Sequence, residues 1–346
     1  MKRESLRKAA MSLPMALLLI SCDAARGQTA PLPAQLPSPI PEQDTIRLDT
    51  SLVVIDARIV DRRTGQFVSG LKSDDFILSD DGVRQEITHF SQDSLNLSVI
   101  LLLDLSGSVS PVLQEIRSGA LGALSRLRKT DEVAVMAFSS NTRLVQEFTR
   151  DRGLIIDRIR EIEKTPVIGQ GTSLFQAISD AATHMELAGR NRSNRRVIIT
   201  ITDNVAWDYN FSGLTAQEVS RRVIDSDSMV CGLIVEGTLN RAEKIFLRNR
   251  AGQDIYRRRM TIDPFIDLSG GEMIRANPGV ISSQLATLVD HLRSRYSFGY
   301  TPKRESDDDR YHQIALRLSD EARRRFGDLL IRTRQGYRIA SKGKVK

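Results

Sequence analysis

The chain has 346 residues, of which 40% are hydrophobic, 27% charged and 5% aromatic. That composition supplies real cores for one large or two modest domains and excludes global disorder. Two cysteines cannot staple a chain of this length, and a single apolar stretch near residue 15 excludes a polytopic membrane protein. The net charge of +7 falls to +4 once residues 1–21 are set aside, since these hold Lys2, Arg3, Arg7 and Lys8 against Glu4. So mildly basic a surface lacks the concentrated patch that a phosphate backbone needs, and no nucleic-acid partner is expected.

The same four basic residues precede an apolar run from Ala9 to Ile20, 12 residues long and too short to span a bilayer comfortably. Residues 1–21 therefore read as a signal peptide. The run ends in Leu19-Ile20-Ser21-Cys22, which resembles a bacterial lipobox. Cys22 is accordingly a candidate lipidation site, and the mature chain an exported lipoprotein of the periplasm or cell envelope. Cleavage after Ala25-Arg26-Gly27, giving a freely secreted protein, is the alternative. With Cys22 lipidated, Cys231 has no intrachain partner and is expected to be a small buried residue. Residues 22–45 carry Pro31, Pro33, Pro37, Pro39 and Pro41, a composition that favours polyproline II and reads as a semi-rigid tether.

Residues 46–92 read as a small β-rich region. Val53, Ile55, Ala57 and Ile59 lie at a spacing of two, the period of a half-buried strand. Asp61 to Gly65 is a turn, and Phe76 to Leu78, Asp81-Gly82 and Val83 to Phe90 make a hairpin with Asp-Gly at its tip. Such a region is thin for an independent core. Tyr311 to Leu318 and Leu329 to Ile339, within a C-terminal segment 296–346, are also strand-like. The two ends are expected to pair around an inserted middle.

That middle, residues 95–295, alternates strands and helices. Leu97 to Leu103 and Val197 to Ile201 are nearly continuous apolar runs, the mark of strands buried on both faces. Val133 to Phe138 and Met229 to Val235 are further strands. Helical spacing marks Pro111 to Leu127, with Ser110 as N-cap, then Leu154 to Ile162, Thr172 to Leu187, Thr215 to Ile224 and Ile281 to Leu292. The expected fold is α/β, a doubly wound, mostly parallel sheet of Rossmann-like kind with a small β-rich accessory region from the flanking segments. In such sheets ligands bind beyond the carboxyl ends of the strands.

Those ends are informative. The first apolar strand runs into Asp104-Leu-Ser106-Gly-Ser108, the later one into Thr202-Asp203-Asn204, and Gly169-Gln-Gly171-Thr172 opens a helix between them. Two carboxylates and three hydroxyls suit a hard divalent cation, Mg²⁺ or by substitution Mn²⁺, and no histidine or cysteine lies near in sequence to favour zinc. Asp104-x-Ser106-x-Ser108, Thr172 and Asp203 resemble the metal-ion-dependent adhesion site of von Willebrand factor A domains. The resemblance implies Ser106 and Ser108 as direct ligands, Thr172 as direct or water-mediated, and Asp104 and Asp203 as anchors acting mainly through water. It also implies an open metal position that takes an acidic residue of a partner. Asn204 departs from the glycine usual after the second aspartate. Leu71 to Phe76, Asp80-Asp81-Gly82, Arg295 to Pro302 and Arg334 to Tyr337 resemble, more narrowly, the VWFA-related proteins of acidobacterial type.

The expected function is a metal-dependent, adhesion-type module that captures a protein ligand presenting Asp or Glu. The alternative is an envelope structural or assembly factor in which the ion only stabilises the fold. No enzyme is expected: Gly-x-Ser-x-Gly is absent, and Gly169-x-Gly171 lacks a nucleotide fingerprint's third glycine. His89, His184, His291 and His312 are scattered, without paired metal spacing. The basic segment 238–264 is expected to be a solvated insertion, and Asp307 to Asp309 a solvated hairpin tip.

Overall fold

The apolar run around Leu101 forms the central strand of the largest sheet. In the computed structural model, which describes residues 52–92, 95–165, 171–188, 194–204, 206–207, 213–236, 259–303 and 310–338, the chain first makes β1 (Val53–Asp61), β2 (Phe76–Asp80), β3 (Val83–Gln85) and β4 (His89–Ser91). It then enters the α/β body. Strand β5 (Leu97–Asp104) passes through a 3₁₀ turn (Gly107–Val112) into α1 (Leu113–Leu124). Strands β6 (Glu132–Phe138) and β7 (Thr142–Thr149) follow, then α2 (Arg152–Arg160), α3 (Leu174–Ala188) and β8 (Arg195–Thr202). The two-residue β9 (Ala206–Trp207), α4 (Ala216–Asp225), β10 (Ser228–Val235), the two-residue β11 (Arg259–Met260), α5 (Asp263–Ser269), β12 (Met273–Ala276) and α6 (Ile281–Arg293) complete the body. The chain ends with β13 (Tyr296–Tyr300), β14 (Tyr311–Leu318), α7 (Asp320–Phe326), β15 (Leu329–Thr333) and β16 (Gly336–Arg338).

The body is a six-stranded sheet in the order β12-β10-β8-β5-β6-β7, parallel except for the antiparallel edge strand β7. Every residue of β5, β8 and β10 is buried, as strands covered on both faces must be. Helices α1, α2 and α6 cover one face through Ile116, Ala120, Ile155, Ile159, Leu285 and Leu288. Helices α3, α4 and α5 cover the other through Ile178, Ala181, Val219, Val223 and Phe265. The fold is the doubly wound α/β sheet that the alternation implies, with antiparallel β-structure flanking it. Truncating a side chain such as Leu101, 1% exposed, would cost about 2–5 kcal/mol.

The flanking segments share two four-stranded sheets, β15-β1-β13-β4 and β16-β14-β2-β3. Strand β1 is antiparallel to both β13 (Ile55 opposite Phe298) and β15 (Ile59 opposite Ile331), and β2 to β14 (Leu78 opposite Leu316). Between the sheets lie Ile55, Ala57, Ile59, Leu78, Phe298, Ile314 and Tyr337, with Phe76 edge-on to Phe298 at 4.9 Å. This layer joins the body at the amino-terminal end of its sheet. Arg195, first residue of β8, grips the Asp56 carboxylate of β1 through two hydrogen bonds of 2.6 and 2.9 Å. Gly270 closes a second contact: its φ is 71°, and a Cβ there would lie 2.3 Å from the Thr333 carbonyl carbon. Only glycine fits both demands.

Three local expectations are corrected. The helix placed at Pro111 begins at Leu113, because residues 107–112 form a 3₁₀ turn that contains Pro111, so Ser110 caps nothing. The hairpin's second arm breaks after Gln85, and β4 crosses to pair with β13 in the other sheet. Strand β7 and the short helices α5 and α7 were not foreseen. The leader, Cys22, the tether, Gly169, most of the basic segment and Asp307 to Asp309 lie outside the described residues. Among the described residues no helix is long and apolar enough to cross a membrane.

Candidate metal centre

Strand pairing decides which residues meet. Strand β5 lies between β8 and β6, with Leu103 opposite Ile201 and Asp104 opposite Phe138. The residues that follow these three strands therefore share one edge, the carboxyl edge of the sheet. Asp104 is the last residue of β5 and is fully buried. Its Oδ1 accepts the Ser106 backbone N–H at 2.8 Å and its Oδ2 the Thr202 hydroxyl at 2.6 Å. The carboxylate is thus fixed from its own loop and from the neighbouring strand. Ser106 is buried and Ser108 half-buried, and their hydroxyl oxygens lie 3.1 Å apart.

Thr172 reaches this edge by a different route. Next to it, Ser173 donates its backbone N–H to the Ser139 carbonyl at 2.6 Å and its hydroxyl to the Ser140 carbonyl at 2.9 Å. Ser139 and Ser140 follow β6 directly, so the Thr172 loop is pinned to the strand end beside Asp104. Thr172 itself is buried, 8% exposed, at the start of α3. Asp203 follows β8 and is 6% exposed.

Asp203 also acts on Asp104 through its charge. Burial first, and the Asp203 charge second, push Asp104 up to about 6, against the hydrogen bonds from Ser106 and Thr202. Two buried carboxylates whose charges repel are relieved by a cation between them or by a proton. Oxygen ligands on neighbouring corners of an octahedral ion with bonds of about 2.1 Å are separated by about 3.0 Å. The Ser106 and Ser108 hydroxyls stand at that separation. Acidic groups and neutral hydroxyls therefore make a donor set that fits a hard divalent cation, and Asp104, Ser106, Ser108, Thr172 and Asp203 are the residues that would hold it.

Asn204 has a part that its sequence position did not reveal. Its φ is 58°, the left-handed region that explains a glycine preference at this place and that asparagine also tolerates. Unlike glycine, it builds a bridge: its Nδ2 donates to Asp263 Oδ2 at 3.0 Å and its Oδ1 accepts the Ile262 N–H at 3.0 Å. Burial would raise Asp263, and hydrogen bonds from Asn204 and Thr261 outweigh it and hold the carboxyl low. The loop bearing Asp203 is thereby tied to the start of α5.

No curated protein matches the chain. Among solved structures, the conserved hypothetical protein BatB of Bacteroides thetaiotaomicron is 18% identical with a TM-score of 0.42, over 57% of this chain and 97% of that one. An aerotolerance-related membrane protein of Bacteroides fragilis is 16% identical with a TM-score of 0.40, over 57% and 98%. The manganese-loaded TRAP protein of Plasmodium vivax is 17% identical with a TM-score of 0.40, over 77% and 100%. Residues 99–205 match the family model of the von Willebrand factor type A domain. The match runs from β5 to the loop after β8 and includes all five residues of the candidate centre.

Proposed function

We propose, on the premise that the chain carries a von Willebrand factor type A domain at residues 99–205, that it is a metal-dependent protein-binding module. The observation that carries this reading is the buried Asp104 carboxylate, raised by burial and by Asp203, beside the paired Ser106 and Ser108 hydroxyls. Bound there, Mg²⁺ or Mn²⁺ would supply an open, Lewis-acidic position for an Asp or Glu side chain of a partner. The protein's own residues do the rest. Ser106, Ser108 and Thr172 offer oxygens without charge, which leaves the centre electrophilic. Asp104 is held by Ser106 and Thr202 and supplies fixed negative charge, and Asn204 steadies the Asp203 loop.

The reading is one of binding without catalysis. The Ser106 hydroxyl has the Ser108 hydroxyl and the Asp104 carboxylate beside it, and the four histidines make contacts elsewhere, with Thr88, Glu147, Glu272 and Asp81. The proposal places the chain outside the cytoplasm on its N-terminal sequence, Lys2 to Cys22. Mass spectrometry of the mature N-terminus tests that placement, with a lipidated Cys22 as the expected result and an uncleaved leader as the overturning one.

Pull-down from envelope extract in Mg²⁺ and in EDTA, with Asp104→Ala as control, tests the function. Capture that needs both the ion and Asp104 is expected. Equal capture in chelator, accompanied by a lower melting temperature, would reassign the ion to holding the fold together in an assembly factor.

A further inference from the structure

We infer that Asp80, Asp81 and His312 form a second metal site, in the β-layer, built for Zn²⁺. This inference is independent of the function proposed above. One potential ligand atom from each residue lies within 4.8 Å of the others. His312 Nδ1 is 3.1 Å from Asp81 Oδ2 and 4.0 Å from Asp80 Oδ1. Ligands around a tetrahedral zinc, with bonds of about 2.0–2.1 Å, are separated by about 3.3 Å. The observed separations straddle that value, so small side-chain adjustments suffice.

Clustered acids alone would not make a site. The independent observation is Asp80. It is 6% exposed, and its Oδ1 accepts no hydrogen bond, although its Oδ2 accepts two, from Tyr300 at 3.0 Å and Tyr337 at 2.9 Å. The two tyrosines saturate one oxygen and turn the other, buried and unbonded, toward the imidazole. A buried carboxylate oxygen left in this state is costly unless a cation meets it.

The surroundings hold the other ligands in place. The His312 ring stacks on Tyr337 with centroids 5.1 Å apart, and Asp81 Oδ1 accepts the Gln313 N–H at 2.9 Å. Partners of this kind, which orient ligands, are the usual companions of a metal centre. Asp81 lies toward solvent and leaves an entry path. The competing cation is Arg310, 3.6 Å from Asp81 Oδ2 and half exposed. Two carboxylates balance a divalent ion, and the imidazole nitrogen favours zinc over the magnesium that suits an all-oxygen set. The ion would staple the β2–β3 turn to β14 across 231 positions of chain.

The test is calorimetric titration of Zn²⁺ into the full chain in saturating Mg²⁺, which keeps the carboxyl-edge centre filled. One equivalent is expected, with a rise in melting temperature. Asp81→Asn is the first variant: asparagine suits the φ of 48° at this position, so the turn is kept while a charged ligand is lost. His312→Gln is the second. Each should weaken Zn²⁺ by at least about tenfold, and His312→Gln should change the visible spectrum of the Co²⁺-substituted protein. Ser106→Ala should leave Zn²⁺ binding unchanged, which separates this site from the first. No Zn²⁺ uptake by the Mg²⁺-saturated wild type, a Co²⁺ spectrum without a nitrogen ligand, or equal affinity in both variants would overturn the inference.

Discussion

Asp56 and Arg195 form a two-pronged ion pair, 2.6 and 2.9 Å, across the seam between the β-layer and the α/β body. The Arg195 side chain is 2% exposed and also donates to the Leu292 carbonyl at the end of α6, while Ser297 donates to Asp56. One guanidinium thus ties β1, β8 and α6 together. Asp56→Asn leaves that charge buried without its counterion and should destabilise the protein by about 3 kcal/mol, the lower end for a broken buried pair because the Leu292 contact remains. Urea unfolding followed by circular dichroism measures this; a loss below about 1 kcal/mol would mean that the pair is not what holds the seam.

Acid should weaken the same seam. Burial would raise Asp56, and the Arg195 guanidinium, with hydrogen bonds from Arg195 and Ser297, reverses that and holds it below its ordinary 3.8. The folded state therefore binds its proton less readily than the unfolded one. The contribution is complete above pH ~4 and fades as pH falls through the depressed folded value. The denaturation midpoint of the wild type should drop below pH ~4, and Asp56→Asn should show a shallower drop over the same range.

Magnesium should stabilise the native state by mass action. At free Mg²⁺ about a hundred times Kd the gain is about 2.7 kcal/mol. Asp104→Ala should show no Mg²⁺-dependent rise in melting temperature, and Ser108→Ala a reduced one. An identical rise in Asp104→Ala would place the ion elsewhere.

The Asn204 bridge separates backbone conformation from side-chain tethering. Asn204→Ala loses both contacts to residues 262–263 and leaves a poorly suited residue in the left-handed region, a cost of about 2 kcal/mol or more. Asn204→Gly relieves the backbone and should recover about half of that loss. Both should weaken Mg²⁺ affinity measured by calorimetry, since both release the Asp203 loop. Unchanged affinity in either would mean that Asp263 does not steady the centre.

How legible all this was depends on where each signal is written. The body could be read because β5 and β8 are dominated by apolar residues, Val99 to Leu103 and Val197 to Ile201, and the helices carry their inner faces at regular spacing. Strand β7 could not, since an edge strand with mostly half-exposed or exposed residues shows no alternation. The residues of the carboxyl-edge centre stood out because each follows a strand or opens a helix in recognisable order, although the pinning of Thr172 through Ser139 and Ser140 needed coordinates. Asp80-Asp81 and His312 were visible only as a turn and a scattered histidine. What joins them is the pairing of β2 with β14, a contact between distant segments that no local pattern encodes.

The chain order of the β-layer sets a timetable for folding. The apolar face of β1, with Ile55, Ala57 and Ile59, is laid down before the α/β body, whereas the strands flanking it, β13 and β15, come only after it. Every element of the α/β body can dock first, while the early strands wait with greasy surface uncovered. Truncation after α6 would thus spare the body's own helices and strands and leave β1 and the β2–β3 hairpin without the strands that cover them.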